Sequence, residues 1–419
     1  MKLVRGEAGG AVWFSSKPFT LNFAACGRVR GPITQGQLEH ALTGLGKRHP
    51  LLAVKAVPGP GAGQDFFTDE DVPPIPLQLV DRVSDDDWVR EAQRDIQIPS
   101  KYLSEPMIRC IWVRGGDISD LILICDHMIA DGRSAIFALR DLLALLADPS
   151  LEMEPLLVGP LNELIPQDVA DRLKAMPSAP APAPVPAPDA EDDAEDDAEE
   201  PKSDEEYTRD HAGPVHIETF DLNAAETSAL IARCKTERVT VQSALCAAFL
   251  RPFAERQLDQ PIRHAEIPVD LRPRLARPVG DAYGCMIGLT LIEVDCTVGR
   301  DLWDVARDAS VALATMNWDE LFATPLVMLA LIGHFPNRPW TIDYDVSISN
   351  LGRIDIPAEY GALRLESIFA PIFPATGPEH RILGVSTFAG QMRFTFSTRH
   401  PNAGAMAHRG LELLRGMLV

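Results

Sequence analysis

Leu121–Gly132 reads L-I-L-I-C-D-H-M-I-A-D-G, and the rest of the chain is organised around it. The apolar run Leu121–Cys125 stops at Asp126-His127. Met128-Ile129-Ala130 follow, then Asp131-Gly132, and then Ile136, Leu139, Leu142, Leu143 and Leu146 at helical spacing. This is the pattern of a strand, a tight polar loop and a helix. An aspartate four residues after a histidine can fold back to hold such a loop while the imidazole points outward. A histidine at a strand end is most often just a polar loop residue, but chance weighs against that here. With ten histidines in the chain, and Asp and Gly each at roughly 6–7% of residues, H-x-x-x-D-G is expected about 0.04 times. The strand–loop–helix context agrees with the motif.

The stretch resembles the H-H-x-x-x-D-G motif of the coenzyme-A-dependent acyltransferase superfamily. That superfamily includes chloramphenicol acetyltransferase, peptide-synthetase condensation domains, plant BAHD acyltransferases and polyketide-associated acyltransferases. The resemblance makes His127 the catalytic base and maps the motif aspartate and glycine onto Asp131 and Gly132. Asp126 stands where the first histidine of the pair would be. That position varies among alcohol acyltransferases, so the change is not read as loss of activity.

The chain has 419 residues, comfortable for two cores. Its composition, 46% apolar and 24% charged, is that of a soluble globular protein. No apolar run reaches 18 residues, so no membrane span is expected. The opening M-K-L-V-R-G-E-A-G-G has no apolar h-region, so no secretory signal is expected. Cys26, Cys110, Cys125, Cys234, Cys246, Cys285 and Cys296 form no C-x-x-C pair and no metal-ligand spacing. They read as reduced core thiols in a cytoplasm.

The formal charge is −21, but Asp189–Glu206 alone carries twelve acidic residues and one lysine, a net −11, which leaves −10 for the remainder. With no dense Lys/Arg run, neither nucleic acid nor an anionic membrane is a suitable partner. Pro177, Pro180, Pro182, Pro184, Pro186 and Pro188 alternate mainly with alanine, and the acidic repeat follows. Neither piece can bury enough apolar surface to offset its ordering entropy. Residues 177–206 therefore read as a disordered linker between an N-terminal α/β lobe, 1–176, and a C-terminal α/β lobe, 207–419.

In the first lobe, Phe19–Arg30 reads as a strand, Ile33–Arg48 as a helix and Leu51–Val57 as a returning strand. His49, at the helix end before proline, is taken as structural. Asp85–Ile96 reads as a helix, with Ser84 as cap and Asp87 three residues on. Met107–Val113 and Leu121–Cys125 pair as neighbouring strands. In the second lobe, strands are expected at Val215–Leu222, Ala265–Leu271, Cys285–Val294, Val346–Ser349, Leu363–Ala370, Ile382–Ala389 and Met392–Ser397. Helices are expected at Ala224–Lys235, Val241–Arg256 (capped by Thr240), Leu302–Thr315, Glu320–Gly333 and Ala403–Leu418.

Two further stretches bear on function. Val269–Gly288 contains Asp270, Arg272, Arg274, Leu275, Pro278, Tyr283 and Gly284 in the order of the BAHD segment D-x-R-x-R-L-x-P-P-L-P-x-G-Y-F-G-N, which it resembles. The resemblance pairs Arg272 with Asp131. A buried carboxylate needs a cation or several donors, and a guanidinium binds it through two parallel hydrogen bonds. Composition alone would put these arginines on a solvated loop. Asp345–Arg353, D-V-S-I-S-N-L-G-R, resembles the S-N-x-G stretch of bacterial alcohol acyltransferases and condensation-like enzymes. It implies Asn350 first, then Ser347 or Ser349, as donors to an oxyanion. An Asx turn after a strand explains Asn350 equally well. No D-F-G-W-G follows, which argues against a plant-type BAHD enzyme.

The resemblance implies two chloramphenicol-acetyltransferase-like α/β sandwich lobes with the active-site channel between them. A lone chloramphenicol acetyltransferase is about half this size and trimerises, so a chain carrying both halves is expected to be a monomer. The implied catalytic set is His127, Asp131 and Asn350, with Gly132 and Arg272 orienting. No metal and no permanently bound cofactor are expected. The co-substrate would be a thioester of coenzyme A or of the phosphopantetheine arm of an acyl-carrier protein. The acceptor would be a small-molecule alcohol or amine in lipid, polyketide or other secondary metabolism. No serine sits in a G-x-S-x-G elbow and no cysteine has a His partner nearby in sequence, so no covalent acyl-enzyme is expected. Two other classes stay open: a non-catalytic condensation-like module that docks carrier proteins, and an unrelated two-domain binding protein. If 177–206 is only a spacer, a Gly/Ser segment of equal length in its place leaves thiol release from an acyl-thioester at the wild-type rate. Collapse of turnover in a folded variant would make the acidic run a docking or gating element.

Overall fold

The computed structural model describes residues 2–3, 20–57, 66–159, 161–175, 214–323, 344–373, 380–400 and 403–418. The expected linker, 177–206, lies outside them. The strands are β1 (Lys2–Leu3), β2 (Asn22–Arg30), β3 (Lys55–Val57), β4 (Phe66–Thr68), β5 (Leu77–Asp81), β6 (Ile108–Arg114), β7 (Ile118–Asp126) and β8 (His216–Leu222). They continue as β9 (Ile262–Asp270), β10 (Ile287–Asp295), β11 (Val346–Arg353), β12 (Glu359–Tyr360), β13 (Leu363–Ile368), β14 (Arg381–Phe388) and β15 (Gln391–Thr398).

Two six-stranded sheets organise the chain, in the orders β12-β13-β2-β7-β6-β5 and β10-β9-β11-β14-β15-β8. A small third sheet joins β1, β4 and β3. The α/β character expected of both halves is present. In the first sheet β7 pairs antiparallel with β2 and with β6. It is buried on both faces. Leu121, Leu123 and Cys125 pack under the helices Gln35–Arg48 and Gly132–Ala147, while Ile122 and Ile124 meet Trp88, Ala92 and Ile96. Burial on both sides explains why Leu121–Cys125 is apolar throughout instead of alternating. In the second sheet β11 runs parallel to both neighbours, β9 and β14. One face packs on the buried helix Val241–Arg256. Thr240 caps that helix, as expected, by accepting the Ser243 N–H.

The structure departs from the sequence expectations at several points. The half 207–419 does not stay in one sheet: β12 and β13 leave it and extend the first sheet, β13 pairing antiparallel with β2. Alternation of Leu363 and Leu365 marks a strand but carries no information about which sheet receives it. The segment after β13 returns between the lobes. Phe369 N–H donates to the Cys26 carbonyl, and Ala24 and Ile372 exchange both backbone bonds. Thr395 Oγ1 in turn donates to the Pro371 carbonyl at 2.6 Å. The hydroxyl-bearing face of the second sheet is therefore roofed by this crossover.

Residues 50–53 form a 3₁₀ turn, with β3 beginning only at Lys55. Pro50 at the first helical position sets the φ that starts the turn. The helix expected from residue 85 runs Asp87–Asp95, and Ser84 does not cap it. Only the reciprocal half of the expected box forms: Asp87 Oδ2 accepts the N–H groups of Val83 and Ser84. Backbone is helical at 318–323, and the remainder of the helix expected over 320–333 lies outside the described residues. Among the described residues, no helix is long and apolar enough to cross a membrane.

A Cβ at Gly384 would press into the Pro371 carbonyl oxygen and lie 2.6 Å from Thr395 Oγ1. Gly384→Ala is therefore expected to loosen the crossover and cost about 1–3 kcal/mol, the usual range for overpacking. A urea unfolding curve with an unchanged midpoint would show that the roof adapts freely.

Candidate active site

β7 ends at Asp126, and the next helix begins at Gly132. Five residues make the turn, so its backbone needs many partners. Asp126, fully buried, supplies several. Its Oδ1 accepts the Met128 N–H at 2.9 Å, and its Oδ2 accepts the Tyr102 hydroxyl at 2.6 Å and the Ser100 hydroxyl at 3.1 Å. Burial raises its carboxyl above the ordinary range, and these donors work against that. Asp126 is thus a pin beneath the loop.

Asp131 closes the loop. Its Oδ1 caps the helix by accepting the Ser134 N–H at 2.8 Å. Arg272, from the turn after β9, binds both oxygens: Nη1 to Oδ2 at 2.8 Å and Nη2 to Oδ1 at 3.1 Å. The Met286 N–H adds a further bond to Oδ2 at 2.9 Å. Asp131 is 1% exposed, and its carboxyl is held below the usual carboxylate range. Burial alone would raise it; the Arg272 charge and these hydrogen bonds more than compensate. Arg272 Nη2 also reaches the Ser134 hydroxyl at 2.8 Å, and that hydroxyl donates to the Gly284 carbonyl. Arg272 Nη1 meets Asp270 Oδ1 at 3.1 Å. Gly132 lets the helix start approach β11, since a Cβ there would lie 2.8 Å from a Leu351 methyl.

This frame holds His127 half-buried at the lobe boundary. Its ring packs against Phe23, centroid distance 4.9 Å, and Phe373, 5.7 Å, on the crossover; the two phenylalanines also meet each other at 5.5 Å, so the three rings form one cluster. Its Nδ1 lies 3.8 Å from Cys285 Sγ. Burial pulls the imidazole below its ordinary value, opposed by the Asp131 charge and the backbone carbonyls of His127 and Ala130. It is therefore a neutral base at pH 7. Beside it an apolar cleft is lined by Met128, Ile129, Leu161, Leu164, Cys285 and Met286.

The other expected site residues are placed differently. Asn350 Oδ1 accepts the Gly352 N–H at 2.8 Å, the Asx turn that the sequence already allowed. The buried Ser347 hydroxyl donates to Glu266 Oε1 at 2.8 Å. Ser349 is buried one step further along the same face of β11. Among the described residues, none of the three hydrogen-bonds to His127. His49 is buried, with its Nε2 3.0 Å from Asp141 Oδ2, away from the loop. Tyr283, matched by the resemblance, is a core residue against the His49 ring. Among the described residues, no His, Cys, Asp or Glu cluster has the geometry to hold a metal ion.

Sequence reasoning missed Ser134, Tyr102, Phe373 and Cys285. Asp131 as a cap with Ser134 three residues on was a readable signal; the others meet the site only through tertiary packing. The expectation that all seven cysteines are core thiols fails at Cys285. Six are buried, and Cys285, one of the residues lining the cleft, is partly exposed.

Residues 212–396 match the family described as phthiocerol/phthiodiolone dimycocerosyl transferase C-terminus. Polyketide synthase associated protein 5 from Mycobacterium tuberculosis superposes with TM-score 0.66 at 18% identity, over 100% of this chain and 99% of that one. The trichothecene 15-O-acetyltransferase of Fusarium sporotrichioides superposes with TM-score 0.72 at 12% identity, over 99% and 95%. A starter condensation domain of rhizomide synthetase, solved with C8-CoA, superposes with TM-score 0.64 at 14% identity, over 100% and 95%. No curated protein matches the sequence. The chain has the two-lobed fold of the coenzyme-A-dependent acyltransferase and condensation superfamily.

Removing one partner of a buried ion pair strands a charge, which costs about 3–5 kcal/mol. Asp131→Ala and Arg272→Ala should each destabilise the chain by that order. The double variant should lose less than their sum, because neither charge is stranded. Because the Asp131 carboxyl is depressed in the folded chain, the pair's contribution is complete above about pH 3.9, the unfolded value. It is lost as pH falls through the lower folded value. Additive single losses in chemical denaturation would mean that the pair is not coupled.

Proposed function

We propose that the chain is an acyltransferase that moves an acyl group from a thioester to an alcohol or amine, with His127 as general base. The observation that carries this is the fixed imidazole: half-buried against two phenylalanines at the lobe boundary, on a loop tied to the opposite lobe by Asp131 and Arg272. A thioester carbonyl is already electrophilic, so the demanding step is making the acceptor nucleophilic. Neutral imidazole takes the acceptor's proton as the new bond forms, and the imidazolium returns it to the departing thiolate. Asp131 positions the loop and relays no proton, since Arg272, Ser134 and Met286 occupy its oxygens.

Coenzyme A and the phosphopantetheine arm of a carrier protein present the same thioester, and either serves as donor in this reading. The oxyanion donor we assign first is the Asn350 amide, because the Ser347 hydroxyl is already engaged with Glu266. The chain acts as a cytoplasmic monomer in polyketide or lipid metabolism. The other reading, a non-catalytic carrier-protein docking module, rested on Asp126 replacing a histidine. Asp126 is buried beneath the loop and leaves His127 in place, which favours an enzyme.

His127→Ala should keep a wild-type circular dichroism spectrum and lose about 10²–10⁴-fold in acyl transfer, the usual worth of a general base. The measurement is thiol release from octanoyl-coenzyme A with a panel of alcohols and amines. Because burial lowers the His127 pKa, the base stays neutral further into acid. The acid limb of kcat/KM should then inflect below about 6.5, the unperturbed histidine value. A folded variant with wild-type turnover would remove His127 from the mechanism.

A further inference from the structure

We infer that Glu266 selects the acceptor: its carboxylate, with the Ser349 hydroxyl on the same sheet face, binds an ammonium group that the acceptor carries away from its reacting end. The inference rests on the acyltransferase reading above and narrows the acceptor class. Three observations support it. First, Glu266 stands apart from the other buried carboxyls. Asp87, Asp95, Asp120, Asp131 and Asp141 each meet an arginine. Asp126 accepts three hydrogen bonds. Glu266, 9% exposed, accepts one, from the Ser347 hydroxyl to Oε1 at 2.8 Å. Among the described residues its Oε2 has no hydrogen-bond partner and no cation pairs with it. A carboxylate taken from water without a cation is costly, and a bound cation removes that cost.

Second, the group faces the lobe boundary. Ala265, Ile267, Val346 and Ile348 pack into the helix-covered core of the second lobe, so Glu266 and its register partner Ser347 lie on the opposite face. On that face Ile382, paired with Ser347, packs against the core of the first lobe. Third, the face leads to the His127 loop. Ser349, buried and two residues beyond Ser347, pairs with Gly384, over which Pro371 lies. Phe373, two residues past Pro371, packs against the His127 ring. Leu351, two residues past Ser349, is the side chain nearest Gly132. Four residues of strand separate Ser347 from Leu351, roughly 13 Å. The recognised group and the reacting group are therefore at separate ends of the acceptor. An ammonium fits better than a hydroxyl. A hydroxyl would give Oε2 one hydrogen bond and leave the charge unmatched, whereas an ammonium brings the charge and three donors. Burial raises the Glu266 carboxyl above its ordinary range, opposed by the Ser347 hydroxyl, and a cation at Oε2 adds to that opposition.

The test uses the full chain with octanoyl-coenzyme A and three acceptors of one length: octanol, its ω-amino derivative and its ω-diol. By thiol release the amino alcohol should have the highest kcat/KM. Its advantage over octanol should fall about tenfold or more in Glu266→Gln, the worth of a hydrogen bond to a charged group. An unchanged ratio would overturn the assignment, and an equal advantage for the diol would overturn the ammonium. A second arm needs no turnover. Calorimetric titration with octamethylenediamine should show binding to the unsubstituted chain and weaker binding to Glu266→Gln; equal affinity would overturn the site. Glu266→Gln removes a charge that has no counter-charge, so its urea midpoint should match or exceed that of the unsubstituted chain. A lowered midpoint would make Glu266 a structural residue instead. Absence of thiol release with every acceptor would count against the acyltransferase reading, whereas diamine binding that depends on Glu266 would still establish the cation site.

Discussion

A carboxylate in a protein interior must be matched by a cation or by several donors, and Asp131 is where that constraint falls hardest in this chain. It is 1% exposed, and four groups converge on its oxygens or its immediate partners: the Ser134 and Met286 N–H groups and the two ends of the Arg272 guanidinium. These come from two segments about 140 residues apart in sequence. The first lobe supplies the carboxylate and the second the cation, so the loop holding His127 is set only when the lobes are joined. The geometry of the site is therefore a consequence of lobe packing, and neither half would build it alone.

The pair also decides the charge of the base. A bare carboxylate four residues from His127 would favour the imidazolium, which cannot accept a proton. The guanidinium compensates that charge at hydrogen-bond distance, and what remains of its field is outweighed by desolvation. The same ion pair that holds the loop lets a half-buried histidine stay neutral at physiological pH. Asp126 acts beside it in the same direction as Asp131: its charge also raises the imidazole, and desolvation outweighs both. A histidine in that buried pin could accept or donate, but it could not accept three hydrogen bonds as the Asp126 carboxyl does.

Much of this was legible in the sequence wherever one local rule was enough. The strand, loop and helix at 121–147 follow from periodicity and the polar break between the two apolar patterns, and the helix Val241–Arg256 has the bounds that its Thr240 cap and apolar run indicate. The Asp131–Arg272 contact was legible only through the resemblance, since nothing in spacing alone joins residues so far apart. Legibility failed where tertiary packing chooses among equals. Leu363–Ile368 reads as a strand in either sheet, and its place beside β2 depends on edge hydrogen bonds that alternation does not encode. Ser84 and Asp87 have the spacing of a capping box, and only the half in which Asp87 accepts the Ser84 N–H forms, because the helix starts at Asp87.

Cys285 shows the same limit most sharply. Its neighbours Tyr283 and Gly284 belong to a recognisable motif, yet the cysteine itself was indistinguishable from six core thiols. What separates it is its position in a three-residue bridge. Gly284 is tied to Ser134 and Met286 to Asp131, so the residue between them must face the loop that those two partners anchor. Backbone bonds on either side leave a side chain little choice of direction, whatever its chemistry. In this chain that residue is a thiol, 3.8 Å from the imidazole. The contact is thus a result of how the lobes are latched together, and the chemistry available there depends on which side chain occupies that place.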